Sequence, residues 1–203
     1  MSLPMTFVFA YISSVFFYAF YDFKSSRVTV QEYHDAYLAS LPNVVLTTII
    51  LAIAEQQFEL FQHQDNLSLF ALTQVFLFLM LYETTFYTIH RVMHHPRVYW
   101  WHAQHHQYKQ RLFSATTFNA SMLEHVVLNM FPFAIAAWVA GFGSLLMPTV
   151  IVYAVWNTVH AHSGYGDDYH LIHHTHPLLN FGLKSGFMDY LFGTRSTEPT
   201  ESL

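Results

Sequence analysis

The sequence predicts an all-α protein: an integral membrane helical bundle of about four to five spans with a helical, histidine-rich metal-binding cap in the cytosol. Three observations predict this class. The chain of 203 residues is 53% hydrophobic and only 10% charged, which is typical of a membrane protein. Its apolar residues are grouped into long blocks. Thirteen of its 15 histidines lie between His90 and His176, and neutral imidazole is the commonest metal ligand in proteins.

Five apolar blocks are candidate membrane spans, although some are shorter than the roughly 20 residues that a bilayer helix needs. They cover residues 3–21, 41–54, 67–82, 126–140 and 145–159. The first block has no basic residues before it and is expected to be a retained span rather than a cleaved signal. The second block ends early, at Glu55, so a re-entrant or tilted helix is the alternative there. Pro132 and Pro148 are expected to kink or cap the last two helices.

The basic residues predict the orientation of the bundle, because Lys and Arg gather at the cytoplasmic ends of spans. Each of them follows the first, third or fifth block, whereas the loop after the second block carries Glu55, Glu59 and Asp65 and no basic residue. With five spans the N-terminus is then outside, and every histidine cluster faces the cytosol. The basic residues are Lys24, Arg27, Arg91, Arg97, Lys109, Arg111, Lys184 and Arg195.

The histidine clusters repeat the spacing of one helical face, on which residues three and four apart are neighbours. One pair at i and i+4 is followed by two sets at i, i+3 and i+4. A single such pair is often a surface accident, but three in one short region favour a metal site. Since a four-coordinate zinc uses three or four protein ligands, nine candidates predict two ions. The candidates are His90, His94, His102, His105, His106, His162, His170, His173 and His174.

Helix length predicts where these ligands lie. A helix over residues 67–94 would be about 42 Å long, whereas the hydrocarbon core is about 30 Å thick. His90 and His94 are therefore expected just beyond the cytoplasmic boundary, and the last span is expected to bring His160 and His162 to the same level. The sequence thus predicts a cytosolic cap on a membrane stem.

Several other classes of protein are excluded by the sequence. The chain has no cysteine, so it supplies no disulfide, no iron–sulfur ligand and no Cys-type zinc site. It has no Gly-rich phosphate loop, no Ser nucleophile elbow and no HExxH zinc-protease motif. A net charge of −5 with dispersed basic residues is not a nucleic-acid-binding pattern.

Read together, the motifs resemble the fatty acid hydroxylase/sterol desaturase superfamily, the membrane-bound histidine-box di-iron oxygenases. The family's acidic residue, aromatic pair and HRxxH box are similar to Glu83, Phe86, Tyr87 and residues 90–94. Its remaining boxes and closing features are similar to residues 102–106, 162–165, 170–174, 180–182 and 189–194. The resemblance predicts N-terminal transmembrane helices over residues 1–66, a catalytic domain over residues 67–195 and a disordered tail over residues 196–203.

The resemblance implies an oxidoreductase with two non-haem iron ions and an external electron donor, a reductase often acting through a b-type cytochrome. It would hydroxylate or desaturate a membrane lipid, in the endoplasmic reticulum if the source is eukaryotic. Catalytic roles are implied for Glu83, Asn180 and Asp189. Histidine ligands alone do not choose iron over zinc or copper. Nine neutral ligands also leave the metal charge uncompensated, so Glu83, Asp168 and Asp189 are candidates to orient imidazoles.

The chain departs from the family pattern after the second box, where many relatives carry a histidine and a proline before an acidic residue. Here the stretch before Glu124 has neither, and His125 is a candidate substitute. His160 is a candidate tenth ligand or hydrogen-bond donor, whereas His34 and His63 are expected to be bystanders and His95 and His176 lie outside the ligand set. Six aromatic residues are candidates for a lipid channel, with interfacial packing as the alternative: Tyr99, Trp100, Trp101, Phe113, Phe118 and Trp156.

The HSGY box and the lack of a fused cytochrome domain resemble the sterol-oxidising branch, so a sterol-like substrate is expected, with a fatty acyl or sphingolipid substrate as the alternative. Two functions from other classes stay open. A histidine-rich metal transporter would place its ligands along a pathway within the spans. A haem-binding protein would need only paired axial histidines on facing spans. A catalytically inactive family member would be expected to lack box histidines, and none is missing.

Overall fold

The computed structural model describes residues 1–24, 28–57, 69–109, 111–143, 146–163, 165, 169–183 and 185–197. Every regular element in these ranges is helical, and the predicted all-α membrane fold is confirmed. Four helices are long and apolar enough to cross a membrane: Leu3–Lys24, Val30–Gln56, Phe70–Met93 and Met122–Ala140.

The helices follow one another in a simple order. They are α1 (Leu3–Lys24), α2 (Val30–Gln57), α3 (Leu69–Met93), α4 (Met122–Glu124), α5 (Phe131–Ala140), α6 (Leu146–His162), α7 (Tyr169–Thr175) and α8 (Phe187–Phe192). A π-helical segment, His125–Met130, joins α4 to α5, and short 3₁₀ turns cover Tyr99–Trp101, His105–Gln107 and Ser114–Thr116. The principal packing pairs are α1 with α6, α3 with α5 and α1 with α2.

The second span begins 11 residues earlier than predicted, at Val30 instead of residue 41. A capping box starts it: Glu32 N donates to Thr29 Oγ1 at 3.2 Å, and Thr29 N donates to Glu32 Oε2 at 2.8 Å, so two orphan donors of the first turn are satisfied. The helix continues through Pro42 for 28 residues. The predicted start at residue 41 was therefore wrong, because hydropathy does not register a polar but well-capped helix start; the re-entrant or tilted alternative stays a prediction.

The predicted fifth span is the helix α6, which is not among the four candidate spanning helices when only the described residues are considered. Its 17 described residues give a length of about 26 Å, close to a core of about 30 Å. Trp156 packs on Phe17 with ring centroids 5.6 Å apart, and His160 Nδ1 lies 3.1 Å from the Tyr18 hydroxyl. The C-terminal ends of α6 and α1 therefore lie together.

The N-terminal helices are bonded into the histidine-bearing part of the chain. Leu3 N donates to Glu55 Oε1 at 3.0 Å at one end of the bundle. At the other end, Ser114 N and Oγ both donate to Asp22 Oδ2, at 2.9 and 2.6 Å. Asn43 Nδ2 donates to the carbonyl of Phe118 at 2.9 Å. One end of the bundle therefore brings together the end of α1, the middle of α2 and the loop that follows the second histidine box.

The apolar side chains divide between an inner core and an outer face. Tyr11, Phe78 and Phe142 are fully buried, whereas Phe16 is 81% exposed and Phe76 is 64% exposed. Such large exposed apolar side chains along spanning helices are the surface that a bilayer covers.

Some predictions fall on residues that lie outside the described ranges. They include the boundary at residues 66–67, most of the tail at 196–203, and the residues Arg27, Glu59, His63, Asp65, Asp168 and Lys184.

Candidate metal centre

Four separate stretches of chain bring the nine predicted ligands to one end of the bundle. The end of α3, the turns after it, the end of α6 and the helix α7 supply them. They form two groups, in each of which one nitrogen from every ring lies within 4.8 Å of the others. The five-histidine group is His90, His94, His102, His106 and His173, and the four-histidine group is His105, His162, His170 and His174.

The nitrogens of the five-histidine group point at one another. His102 Nε2 lies 3.0 Å from Nε2 of both His90 and His106, and His94 Nε2 lies 3.1 Å from His173 Nε2. Two nitrogens bound to one ion at about 2.05 Å are about 2.9–3.4 Å apart, according to the coordination angle. The spacing is therefore that of ligands around a common centre.

Hydrogen bonds on the far side of the rings determine what these nitrogens present. His90 Nδ1 donates to the Phe181 carbonyl at 2.6 Å, and His102 Nδ1 donates to Glu124 Oε1 at 2.7 Å. In a neutral imidazole the other nitrogen is then a bare acceptor. The Nε2 atoms of His90 and His102 are thus two lone pairs facing each other at 3.0 Å, an arrangement that a cation between them stabilises. The donor set fits a metal ion.

The four-histidine group has the same character with looser spacing. His162 Nδ1 donates to the Thr158 carbonyl at 2.9 Å, so its Nε2 is a lone pair. This Nε2 lies 3.4 Å from His105 Nε2 and 3.2 Å from His170 Nε2. His174 Nε2 lies 3.1 Å from His105 Nε2 and 3.2 Å from His170 Nε2. A second ion fits among these nitrogens.

Each HxxHH box is divided between the two groups. In α7, His170 and His174 belong to the four-histidine group and His173 to the five-histidine group. The predicted helical face over residues 102–106 was wrong, because that stretch is a series of turns ending in the 3₁₀ turn His105–Gln107. The turns aim His105 at one group and its neighbour His106 at the other.

Glu124 is a contact of this centre that the sequence reasoning did not assign. Its carboxylate is fully buried, accepts from His102 Nδ1 at 2.7 Å and lies 4.0 Å from His105 Nδ1. One acid therefore lies beside a ring of each group, where it would offset part of the charge of a bound metal ion. The sequence carried a signal, because Ser121 and Glu124 have the S-x-x-E spacing of a capping box. In the structure Ser121 caps the short helix that carries Glu124, accepting from Glu124 N at 3.2 Å.

Burial keeps the imidazoles in the form that binds metal. It lowers the pKa of His94 and of His106 from 6.5 to about 3. Burial, with the neighbouring imidazoles, holds the pKa of five further rings well below the ordinary value: His102, His105, His170, His173 and His174. At neutral pH these rings are therefore uncharged ligands.

The three residues with implied catalytic roles lie beside the centre and form hydrogen bonds with backbone groups in or beside the loop around Phe181. Asp189 accepts from Phe181 N, Gly182 N and the Tyr169 hydroxyl, at 2.8, 2.6 and 2.6 Å. Asn180 Nδ2 donates to the Tyr169 carbonyl at 3.0 Å. These bonds order the loop whose Phe181 carbonyl receives His90 Nδ1.

Glu83 supports the same loop from α3, where its Oε2 accepts from Leu183 N at 3.1 Å. A Cβ on Gly182 would lie 2.6 Å from Glu83 Oε1 and 2.7 Å from Asp189 Oδ2. Only glycine therefore fits between these two acids without displacing one of them. Metal binding by the nine histidines and catalytic roles for Glu83, Asn180 and Asp189 stay predictions.

The remaining histidines lie outside the two groups. His125 Nε2 is 2.7 Å from Thr47 Oγ1, on the side facing α2, so it does not take the place of the histidine that relatives carry. His160 faces Tyr18 and is not part of either group. His34 is exposed beside Asp35. His95 and His176 contact their own chain neighbours.

Two cavities lie next to each other in the bundle, and the smaller one adjoins the centre. The smaller, of about 220 Å³, is lined by rings of both groups together with Glu83, Glu124, Asn157 and Tyr169. The larger, of about 570 Å³, lies between α1, α2, α5 and α6 and is mostly apolar. Of the six aromatic candidates for a channel, Phe118 lines the larger cavity, whereas Tyr99 packs on His94 and His106 and Trp100 is 69% exposed.

Comparison with known proteins gives a consistent result. A family model described as fatty acid hydroxylase matches residues 75–194. The fatty acid hydroxylase ahd1 of Mycosarcoma maydis is 29% identical over 126 residues, which are 59% of this chain and 32% of that protein. Fatty acid hydroxylase domain-containing protein 2 is 29% identical in Macaca fascicularis and 28% in Homo sapiens, each over 130 residues, 61% of this chain and 38% of the relative. No solved structure matches the chain.

The apolar helices and the nine converging histidines define the class, an integral membrane protein with a double histidine centre. Because the family model covers more than half of the chain, the protein belongs to the fatty acid hydroxylase family, and the superfamily resemblance is confirmed. The chain spans about a third of the length of the curated relatives that it matches.

Proposed function

We propose that the protein is an oxygen-dependent lipid hydroxylase or desaturase that works with two non-haem iron ions and an external electron donor. The observation that carries this proposal is the convergence of unprotonated imidazole nitrogens in two adjacent groups beside a cavity. Iron bound there would supply the reduction of dioxygen and the removal of hydrogen from an unactivated C–H bond. Family membership supports iron, because the nitrogen ligands by themselves are compatible with zinc or copper.

The protein's own contribution is to hold the ligands in one geometry. Backbone carbonyls of Phe181, Leu179 and Thr158 receive Nδ1 of His90, His173 and His162. Each bond selects one tautomer and aims Nε2 at the centre, so little rearrangement is needed on metal binding.

The cavity wall keeps water from the reacting carbon. Phe86 packs edge-on against His90 with ring centroids 5.3 Å apart, and Tyr82 is 6% exposed beside it. Both line the smaller cavity with Leu79 and Leu128. Exclusion of water strengthens the electrostatic interactions of the site and limits side reactions.

Two substrate classes have support. The HSGY box favours a sterol-like lipid, and this is the preferred candidate. The relatives, which are named fatty acid hydroxylases, favour a fatty acyl lipid. The larger cavity, at about 570 Å³, is within the range of small-molecule sites and accepts the aliphatic part of either.

The electron donor and the location are also proposals. A reductase, acting through a b-type cytochrome, would approach the histidine end from the cytosol, in the endoplasmic reticulum if the source is eukaryotic. The charges support this side: Arg111 pairs with Glu32 at 3.0 Å, and Lys24 and Arg91 close α1 and α3 at the histidine end. Basic residues favour the cytoplasmic side of spans.

The test is expression of the protein in membranes of defined sterol and lipid content, with iron per chain measured on the purified protein. Lipids are then profiled by mass spectrometry with and without oxygen. Gain of one oxygen atom indicates hydroxylation, and loss of two hydrogen atoms indicates desaturation. The proposal fails if the chain binds no iron or if no lipid changes in an oxygen-dependent way.

A further inference from the structure

The two cavities meet at a shared wall. Tyr82, Asn129, Ala154 and Thr158 line both of them. Asn129 lies on the π-helical segment, whose wider turn departs from the regular helix along the larger cavity. Such π-bulges are frequent at functional sites. The smaller cavity at the histidines and the larger cavity in the stem are therefore neighbours with one boundary.

The two cavities differ in the number of polar side chains that line them. The smaller is lined by imidazoles, the acids Glu83 and Glu124, Asn157 and Ser185, together with apolar side chains. Most of the wall of the larger is apolar, and polar groups there are already bonded to each other: Thr47 Oγ1 lies 2.7 Å from His125 Nε2, and Thr158 Oγ1 donates to the Ala154 carbonyl at 2.8 Å. The larger cavity therefore suits an aliphatic group, because a polar group would lose its hydration there without new partners.

The larger cavity runs away from the histidines along the stem. On α6 its wall extends from Met147 to Thr158, which is about 16 Å at 1.5 Å per residue. Leu3 and Ala54, which lie at the far ends of α1 and α2, also line it. The histidine groups lie at the opposite end, past the end of α3.

The position of the centre determines which end of a lipid meets it. An amphiphile keeps its polar end at the water boundary and its hydrocarbon in the bilayer core, because the reverse leaves polar groups without hydrogen-bond partners. The centre lies at one end of the stem beside the smaller cavity, where most of the polar side chains are, and the larger cavity extends from the shared wall toward the opposite leaflet.

We propose that the two cavities form one lipid-binding passage, in which the polar end of the substrate lies beside the histidines and its aliphatic body fills the cavity between α1, α2, α5 and α6. The oxidised carbon then lies close to the polar end of the lipid. This inference rests on the proposed lipid oxidation for its chemistry, but the binding orientation is a separate property of the chain.

Photolabelling tests the orientation without turnover. The full chain is reconstituted in phosphatidylcholine vesicles without oxygen or reductant, with a sterol or a fatty acid that carries a diazirine at its aliphatic end. Labelling that the unmodified lipid competes away is expected on walls of the larger cavity, such as Leu51 and Met147. Labelling of smaller-cavity residues such as Asn157 would reverse the orientation, and labelling confined to lipid-facing residues such as Phe76 would leave only annular lipid; either result overturns the proposal.

A matched pair of substitutions tests the passage. Ala154→Phe fills the shared wall and is expected to lower labelling of the larger cavity by about tenfold, with metal content unchanged. Ala39→Phe makes the same change at an exposed site that lines neither cavity and is expected to leave labelling unchanged. Equal labelling in both variants overturns the proposal.

Product analysis gives a second, independent measurement if Ala154→Phe does not fold. In a series of fatty acids of increasing length, the oxidised position is expected to stay constant when counted from the carboxyl end. If the oxidised position is instead constant when counted from the methyl end, the proposed orientation in the passage is wrong, whereas the proposed lipid oxidation still holds. Saturable labelling of the larger cavity in a chain that binds no iron has the opposite meaning, because it overturns the proposed function alone.

Discussion

The two histidine groups differ in how firmly their rings are held. In the five-histidine group, Nδ1 of His90, His102 and His173 each donates to a carbonyl or carboxylate at 2.6–2.7 Å. In the four-histidine group, His162 has such a bond, at 2.9 Å, whereas His174 Nδ1 has no hydrogen-bond partner within the described part of the chain. Bonds behind ligands orient them and raise metal affinity. The five-histidine group is therefore preorganised for metal, whereas rings of the four-histidine group can still change orientation when metal binds.

The largest expected effect comes from removing a ligand. His94→Ala or His106→Ala is expected to empty the five-histidine group and His174→Ala the four-histidine group, each with a loss of activity of more than about 100-fold, since even a residue behind a ligand is worth 10–100-fold. Metal per chain, measured by elemental analysis, is expected to fall from about two to about one. His34→Ala is the control. Equal metal content in all four variants would contradict the assignment.

The next effect concerns the acid shared by the groups. Glu124→Ala is expected to weaken metal binding by about 10–100-fold, because His102 loses the acceptor of its Nδ1 proton. Glu124→Gln keeps a hydrogen-bond acceptor without the charge. Its metal affinity is therefore expected to lie between that of Glu124→Ala and that of the parent protein. Competition with a chelator measures both. Asp35→Asn, an exposed acid, serves as control, and an unchanged affinity in Glu124→Ala would show that the contact has no role.

Chelation is expected to show the difference between the two histidine groups as an order of metal release. With one firmly held ring against three, the four-histidine group is expected to release metal first, at a chelator strength about tenfold lower, which is the smallest effect of an orienting bond behind a ligand. His174→Ala is expected to keep only the late step, and His106→Ala only the early one. The same order of release in both variants would mean that the groups do not differ.

The smallest effect is that of acid on the metal-free protein. The rings of His94 and His106 have a pKa of about 3 in the folded chain against 6.5 as the ordinary value, so the unfolded chain binds more protons between these limits. The contribution of these two rings to stability is therefore complete above pH 6.5 and is lost as the pH decreases toward about 3. In thermal unfolding, Tm is expected to fall by about 2–4 °C for each kcal/mol lost from the free energy of unfolding. A constant Tm across this range would contradict the burial of these rings in neutral form.

Much of the fold follows from local sequence patterns. Apolar blocks mark α1 and α3 closely because these helices are apolar along most of their length. The start of α2 is different, since Thr29 and Glu32 cap a polar first turn that hydropathy passes over. The exact bounds of α6, whose described residues run from Leu146 to His162, are also not visible in a block of apolar residues, because helix ends depend on the neighbours that satisfy the terminal backbone groups.

The sequence predicted which histidines converge, but not how they divide between the two groups. Spacing identified eight of the nine rings because the boxes place them three or four residues apart, whereas His162 has no ligand partner at that spacing. It did not separate His105 from His106, because the turns between residues 99 and 107 direct adjacent residues to opposite sides. Glu124 and the two cavities arise from contacts between distant segments, and no local pattern encodes such contacts.

The sharing of each HxxHH box between the groups limits how the chain can change in length. One residue inserted between His170 and His173 would turn everything after it by about 100° around α7. His173 would then leave one group and His174 the other, so a single insertion would disrupt both groups together. Deletions in the turn between His102 and His105 have the same outcome, whereas loops that join the boxes can lengthen without moving any ligand out of register.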